Sequence, residues 1–173
     1  MATTLVRLKQ RQDRRVRSGH PWVFSNEIDG DVRALEPGAL VDVATANGKF
    51  LGRGYANPNS LIAIRLLSRN RHADPSTPEF YASRLQSALK HRQAVYPKRT
   101  AYRWINSEAD GLPGLIIDRF NDVLSVQINT LGMDVRRDLL ETAIRSVLDV
   151  SGAVFRNDSP MRILEGLQQH KDV

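Results

Sequence analysis

The side chains in this sequence best equipped for binding chemistry are cations. Arg7, Lys9, Arg11, Arg14, Arg15 and Arg17 place six basic groups in eleven positions, interrupted by the single acid Asp13. Arginine presents a planar fork of donors that matches the oxygens of a phosphate, and lysine presents a compact point charge. Such a run would grip a polyanion, with each neutralised phosphate adding a salt-dependent increment of affinity. The chain then turns through Ser18-Gly19-His20-Pro21 and becomes aromatic at Trp22 and Phe24. A basic run tied so closely to an apolar strand is a charged surface held in one place, not a loose tail. His20 is either a turn residue before proline or an aromatic edge that stacks an unpaired base. Arg53 and Arg65 fall on neighbouring strand candidates, as further phosphate ligands or as ordinary exposed positions. The expected nucleic-acid contacts are therefore Lys9, Arg11, Arg14, Arg15, Arg17, His20, Arg53 and Arg65.

Other chemistries have weaker support. The sequence has no cysteine, which removes disulfides, thiolate zinc sites and cysteine nucleophiles from these residues. Glu108, Asp110, Asp118 and Asp122 cluster around a predicted hairpin, but their spacing does not match a calcium loop. They are expected to serve turns, with Asp118 and Arg119 as an internal ion pair. Gly52-Arg53-Gly54 lacks a third glycine and leads into Pro58 instead of a helix, unlike a dinucleotide fingerprint. No catalytic, cofactor-binding or metal-binding residue is expected.

The elements that must position the cations follow from periodicity and turn chemistry. Val6–Leu8 is a first strand candidate, and one or two helical turns fit Gln10–Ser18. In that turn Arg11, Arg14, Arg15 and Ser18 share a face. Pro21 prevents continuation of the helix. Trp22–Phe24 is expected as a buried strand with both aromatics in the core. Asn47-Gly48 signals a tight hairpin between Val41–Ala46 and Lys49–Tyr55. Leu61–Leu67 is a further strand, and several short strands at this spacing predict a small barrel or sandwich. Ser76 and Glu79 resemble a capping box before a helix from Pro78 to about Tyr96, with Phe80, Leu85, Leu89, Arg92 and Tyr96 on one stripe. Strands are then expected at Tyr102–Ile105, Leu115–Phe120 and Val123–Asn129. An amphipathic helix over Met133–Val150 and a strand at Ala153–Arg156 follow.

Composition bounds the partners. The 173 residues carry a net charge of +6, with ordinary hydrophobic content of 41%. Up to Thr100 there are 17 Lys/Arg and 8 Asp/Glu, and beyond it 8 and 11. The first part is therefore expected to bind the polyanion and the second is not. No apolar run approaches the roughly 18 residues of a membrane helix. The start is too polar for a secretory leader, so a soluble, cytoplasmic protein with no membrane partner is expected.

Longer blocks resemble a known family. Arg14-Arg-Val-Arg-Ser-Gly-His-Pro-Trp-Val-Phe-Ser25 and Lys49-Phe-Leu-Gly-Arg-Gly-Tyr-Ala-Asn-Pro-Asn-Ser60 resemble the N-terminal PUA domain of the S-adenosylmethionine-dependent ribosomal RNA large-subunit methyltransferases, in particular the RlmI group that makes 5-methylcytosine. Tyr102-Arg-Trp-Ile-Asn-Ser-Glu-Ala-Asp-Gly-Leu-Pro-Gly-Leu-Ile-Ile-Asp-Arg-Phe120 is similar to the start of that family's middle domain, of strand-strand-helix-strand-strand topology. Val154-Phe-Arg-Asn-Asp-Ser159 and Met161-Arg-Ile-Leu-Glu-Gly166 resemble its next strand and loop. The resemblance implies an α+β chain, with a PUA-like small β-barrel over residues 1–70, a linker and helix over 71–100, and an incomplete strand-strand-helix-strand α/β region over 101–173. It implies large-subunit ribosomal RNA as partner and S-adenosylmethionine as cofactor of the full-length protein. The glycine-rich cofactor loop and catalytic cysteine of the family lie in a further Rossmann-type domain absent from this chain. The chain alone is therefore expected to bind RNA without catalysing transfer and to hold no cofactor. The absent C-terminal domain would be its intramolecular partner, and a homodimer is compatible. The alternative is a stand-alone RNA-binding or ribosome-associated module.

Overall fold

Alternating burial along the first seventy residues builds a sheet that curls on itself. In a computed structural model, which describes residues 3–172, the chain divides into two units between Ala73 and Asp74. The first unit runs β1 (Thr4–Leu8), α1 (Arg14–Arg17), β2 (Trp22–Val23), β3 (Ile28–Asp29), β4 (Leu40–Ala44), β5 (Phe50–Ala56) and β6 (Ile64–Ser68). The strands order as β2-β6-β5-β4-β1-β3 in a nearly closed, barrel-like sheet. β1 runs parallel to β4, with Val6 opposite Val43, and antiparallel to β3. Successive side chains of a strand point to opposite faces. Val6 and Leu8 accordingly enter the core with Val23, Val41, Val43 and Ile64, while Leu5 and Arg7 stay outside.

Two sequence signals act here as turn chemistry predicts. Gly48 has φ of 82° in the hairpin between β4 and β5, and the Thr45 amide donates to the Lys49 carbonyl at 2.9 Å. Gly52 and Gly54 lie within β5. A methyl group on Gly54 would sit 2.2 Å from the Arg65 carbonyl oxygen, and one on Gly52 would sit 2.9 Å from that of Ser68. These glycines let β5 and β6 approach closely, which is why they do not form a loop.

The second unit consists of α2 (Pro78–Val95), β7 (Ala101–Asn106), β8 (Leu115–Phe120), β9 (Val123–Ile128), α3 (Leu131–Asp134), α4 (Arg137–Val147), β10 (Gly152–Asn157), α5 (Met161–Leu164) and β11 (His170–Asp172). Its sheet orders as β11-β10-β9-β8-β7. The meander from β7 to β9 is antiparallel, and the α3–α4 crossover returns β10 parallel to β9. The fully buried Trp104, Ile105, Leu115, Ile117, Leu124 and Ile128 form its centre.

Several local expectations change. Thr77 is the N-cap of α2, with Pro78 as first helical residue, and no side chain caps the helix. Ser76 instead bonds Asp74. Tyr81 and Ala88 join Phe80, Leu85 and Leu89 inside, whereas Tyr96 stays 40% exposed. The helix expected from Met133 is two helices, separated at Val135 and Arg136, where the Arg136 guanidinium donates back to the Gly132 carbonyl. Its buried residues are Leu140, Ala143 and Ile144. The edge strands β3 and β11 lack any run long enough to predict. Within the second unit α2 packs on α4 and β7 and receives the Trp104 indole N–H at the Leu85 carbonyl, 3.1 Å away.

Candidate nucleic-acid interface

Val16 explains why the basic run is fixed. It is fully buried in the barrel core and lies in the single turn that carries Arg14, Arg15 and Arg17. Burying a valine contributes roughly 1.5–3 kcal/mol, enough to hold a four-residue turn that is marginal by itself. Arg14 and Arg17 project from the same turn as exposed groups, Arg17 reaching Asp13 at 3.4 Å. Such an exposed pair contributes little.

A buried acid organises the rest. Glu27 is 5% exposed; its Oε2 accepts the Phe24 amide at 2.8 Å and its Oε1 faces the Arg15 guanidinium at 3.5 Å. The Arg15 guanidinium also lies 4.6 Å above the Phe24 ring, and its Nη2 is 3.2 Å from His20 Nδ1. The Trp22 amide donates to that same Nδ1 at 3.2 Å. His20 meets the Trp22 ring edge-on, with centroids 5.4 Å apart. Arg69 donates to the His20 carbonyl at 3.3 Å. The result is an arginine held between the Phe24 and His20 rings, with Arg15 still 42% exposed.

This arrangement reverses the expected parity of β2. Val23, not its neighbours, enters the core at 0% exposure, and Trp22 and Phe24 share the other, half-exposed face. The two aromatics are on one side, as their spacing requires, but it is the opposite side from the one expected. Val23 itself was the available signal: one β-branched residue between two large rings satisfies a crowded interior better than two rings do.

The remaining predicted residues fall into two groups. Lys9 and Arg11 border a cleft of about 290 Å³ with Gln10, Asp13, Thr45 and Asn47, between the β1–α1 loop and the β4–β5 hairpin. Lys9 Nζ bonds the Asn26 carbonyl at 3.0 Å, and Arg11 takes φ of 66°, unusual for a residue with a side chain. Arg53 and Arg65 do not join this surface. Arg53 forms a two-point ion pair with Asp42 on the neighbouring strand, at 2.7 and 3.1 Å, and bonds the Ala73 carbonyl. Arg65 is 5% exposed and donates to the Ile62 carbonyl. Strand alternation alone does not distinguish an outward cation from one engaged by a neighbour.

Three of the four acidic side chains around the β8–β9 hairpin have partners. Asp110 pairs with Arg92 at 2.7 Å, and Asp118 pairs with Arg103 instead of the expected Arg119. Arg119 bonds the Asn121 carbonyl and the Tyr102 hydroxyl. Glu108 accepts from the Ser107 hydroxyl. No helix among the described residues is long and apolar enough to cross a membrane.

Comparison with known proteins gives this geometry a context. A model of a PUA-like domain matches residues 6–69, the span of the barrel. Proteins named Ribosomal RNA large subunit methyltransferase I are similar along nearly the whole chain. The one from Tolumonas auensis is 34% identical over 98% of this chain and 43% of its own length. Those from Alteromonas mediterranea and Aliivibrio fischeri are 37% and 32% identical over 94% and 99% of this chain. The chain thus spans about two fifths of the length of these relatives. Among solved structures, one provisionally assigned as a methyltransferase and complexed with SAH superposes with a TM-score of 0.75 over 90% of this chain, at 19% identity. Another, from Streptococcus mutans and provisionally assigned as SAM-dependent, gives 0.76 over 89% at 18% identity. At that identity the likeness establishes the fold.

Proposed function

We propose that this chain, a homologue of the large-subunit ribosomal RNA methyltransferases I that carries a PUA-like domain, is the RNA-recognition region of such an enzyme. The observation that carries this reading is the basic turn of the PUA-like unit, anchored by Val16 and Glu27 and flanked by half-exposed rings. Arg14 and Arg17 provide exposed charge for phosphates. The Arg15, His20 and Trp22 cluster offers a face on which an unpaired base can stack, and stacking of this kind contributes roughly 1–3 kcal/mol per base. Lys9 and Arg11 extend the positive surface along the adjoining cleft.

The full-length reaction would be transfer of a methyl group from S-adenosylmethionine to carbon 5 of a cytosine. The Gly52-Arg53-Gly54 segment does not fit that cofactor. Gly52 and Gly54 are packed against β6 and leave no loop to approach a ligand. Cytosine-5 transfer also proceeds through a thiolate nucleophile, and this sequence contains no cysteine. On this reading the chain binds and orients RNA.

Filter binding to a structured fragment of large-subunit ribosomal RNA tests the reading. Affinity is expected to fall steeply between ~50 and ~200 mM salt, as counterion release requires. Arg14→Glu with Arg17→Glu is expected to weaken binding at least tenfold without lowering the melting temperature. Binding that ignores both salt and these substitutions would refute it.

A further inference from the structure

We propose that the second unit carries its own surface for single-stranded RNA, along α2 and the start of β7. The inference deepens the RNA-recognition reading, and rests on it for the class of ligand. Charge is the first observation. The first unit has twelve Lys/Arg against six Asp/Glu, and the second has thirteen of each. The neutral total of the second unit conceals a strong segregation. From Phe80 to Ser107 there is no acid, and there are six cations: Arg84, Lys90, Arg92, Lys98, Arg99 and Arg103. A division at Thr100 cuts this segment in two and hides it.

Shape is the second observation. Arg84, Ser87, His91 and Arg92 line one open cleft of about 540 Å³ beside Asp110. Arg92, Tyr96, Arg99, Tyr102 and Arg103 line a second of about 400 Å³. Arg92 borders both, so the two clefts adjoin along the helix. Two cations in this groove are neutralised within the fold, Arg92 by Asp110 and Arg103 by Asp118. His91 in the first cleft, and Lys90 and Lys98 on the flanking surface outside the two linings, are exposed and hold no ion pair among the described residues. The Arg99 guanidinium lies 5.3 Å from the centre of the Tyr96 ring, itself 40% exposed.

The chemistry selects the ligand. Exposed cations beside an exposed ring form the pattern that tracks a phosphate backbone while stacking its bases. Apart from the Tyr96 and Tyr102 rings the clefts have only alanine as apolar lining, whereas a protein partner would require a buried apolar centre. A duplex keeps its base faces stacked and offers none to Tyr96; a single strand does.

The test uses the full chain and a fluorescein-labelled 12-mer of oligouridine, with anisotropy measured across a salt series. Lys90→Gln, Lys98→Gln and Arg99→Gln together are expected to weaken binding at least tenfold. They should also lower the slope of log affinity against log salt by about 2, since each single-strand phosphate contact contributes about 0.7. Tyr96→Ala is expected to weaken binding roughly tenfold with the slope unchanged. All four residues are exposed, so thermal melting should match the parent. If the triple variant binds as the parent does, the inference is overturned, and an acidic protein would be the better partner for this surface. The Arg14 and Arg17 variant, measured in parallel, separates the two claims: loss there with none here leaves the first surface standing and removes only the second.

Discussion

The two basic surfaces of this protein are built on opposite plans. In the first unit the acid is buried and the cation faces out: Glu27 has 7% of its side chain exposed and Arg15 has 42%. In the second unit both partners are largely buried, Arg92 at 16% and Asp110 at 10%. The first pair presents its cation to solvent. The second neutralises its cation and leaves the outer lysines to provide the field. A compact charge run and a dispersed one can therefore form comparable surfaces, because what counts is which cations the fold leaves outside.

The sharpest way to break this contrast is to remove the buried acid. Glu27→Ala strands the Phe24 amide and releases Arg15, and is expected to destabilise the first unit by roughly 2–3 kcal/mol. Chemical denaturation should show this loss along with weakened RNA binding. A stable variant that still binds normally would mean that Glu27 does not organise the surface.

Removing the inner cation of the second unit should have a smaller effect. Arg92→Ala deprives Asp110 of its 2.7 Å partner and the Arg103 carbonyl of a donor, although Asp110 keeps the Asn106 amide. The expected cost is about 1–2 kcal/mol, below that of a fully buried pair. Equal losses at Glu27 and Arg92, measured by the same denaturation, would erase the distinction between the two plans.

The smallest effect is confined to alkaline pH. Burial pushes the Tyr81 hydroxyl up to about 12 from its ordinary value of 10, and it donates to the Pro75 carbonyl at 2.8 Å. The folded state therefore holds this proton more tightly than the unfolded state. The associated stability is complete below about pH 10 and is lost as pH rises towards 12. Tyr81→Phe should lose about 1 kcal/mol at neutral pH and show a flatter decline in that window. Melting temperatures between pH 9 and 12 would reveal it, and an unchanged decline would assign the alkaline loss elsewhere.

Much of the fold was legible because it rests on local chemistry. Asn47-Gly48 and Pro78 mark their turn and helix start with conformational preferences that tertiary contacts only reinforce. The basic run from Arg7 to Arg17 was visible because its charges are contiguous. The direction of β2 was not, since hydropathy ranks Trp22 and Phe24 above Val23 and does not account for the volume of the barrel interior. Arg53 and Arg65 were obscured because Asp42 and the Ile62 carbonyl reach them only through sheet pairing and turn geometry. The second basic surface was hidden differently: its cations are spread over a helix and a strand, and a whole-segment charge count cancels them against distant acids.

Arg15, held above Phe24 and beside Glu27, has a consequence for rates. A free arginine must give up rotamer freedom on meeting a ligand, a penalty of about 0.5–1.5 kcal/mol for a side chain of this kind. Here that ordering is completed during folding. A phosphate or base arriving at the proposed contact finds the guanidinium already oriented, so little of the encounter is lost to searching. Phe24 never needs to touch RNA to matter: shortening it to alanine would set Arg15 moving and should appear as a shorter residence time on the RNA, even where the charge of the surface is unchanged.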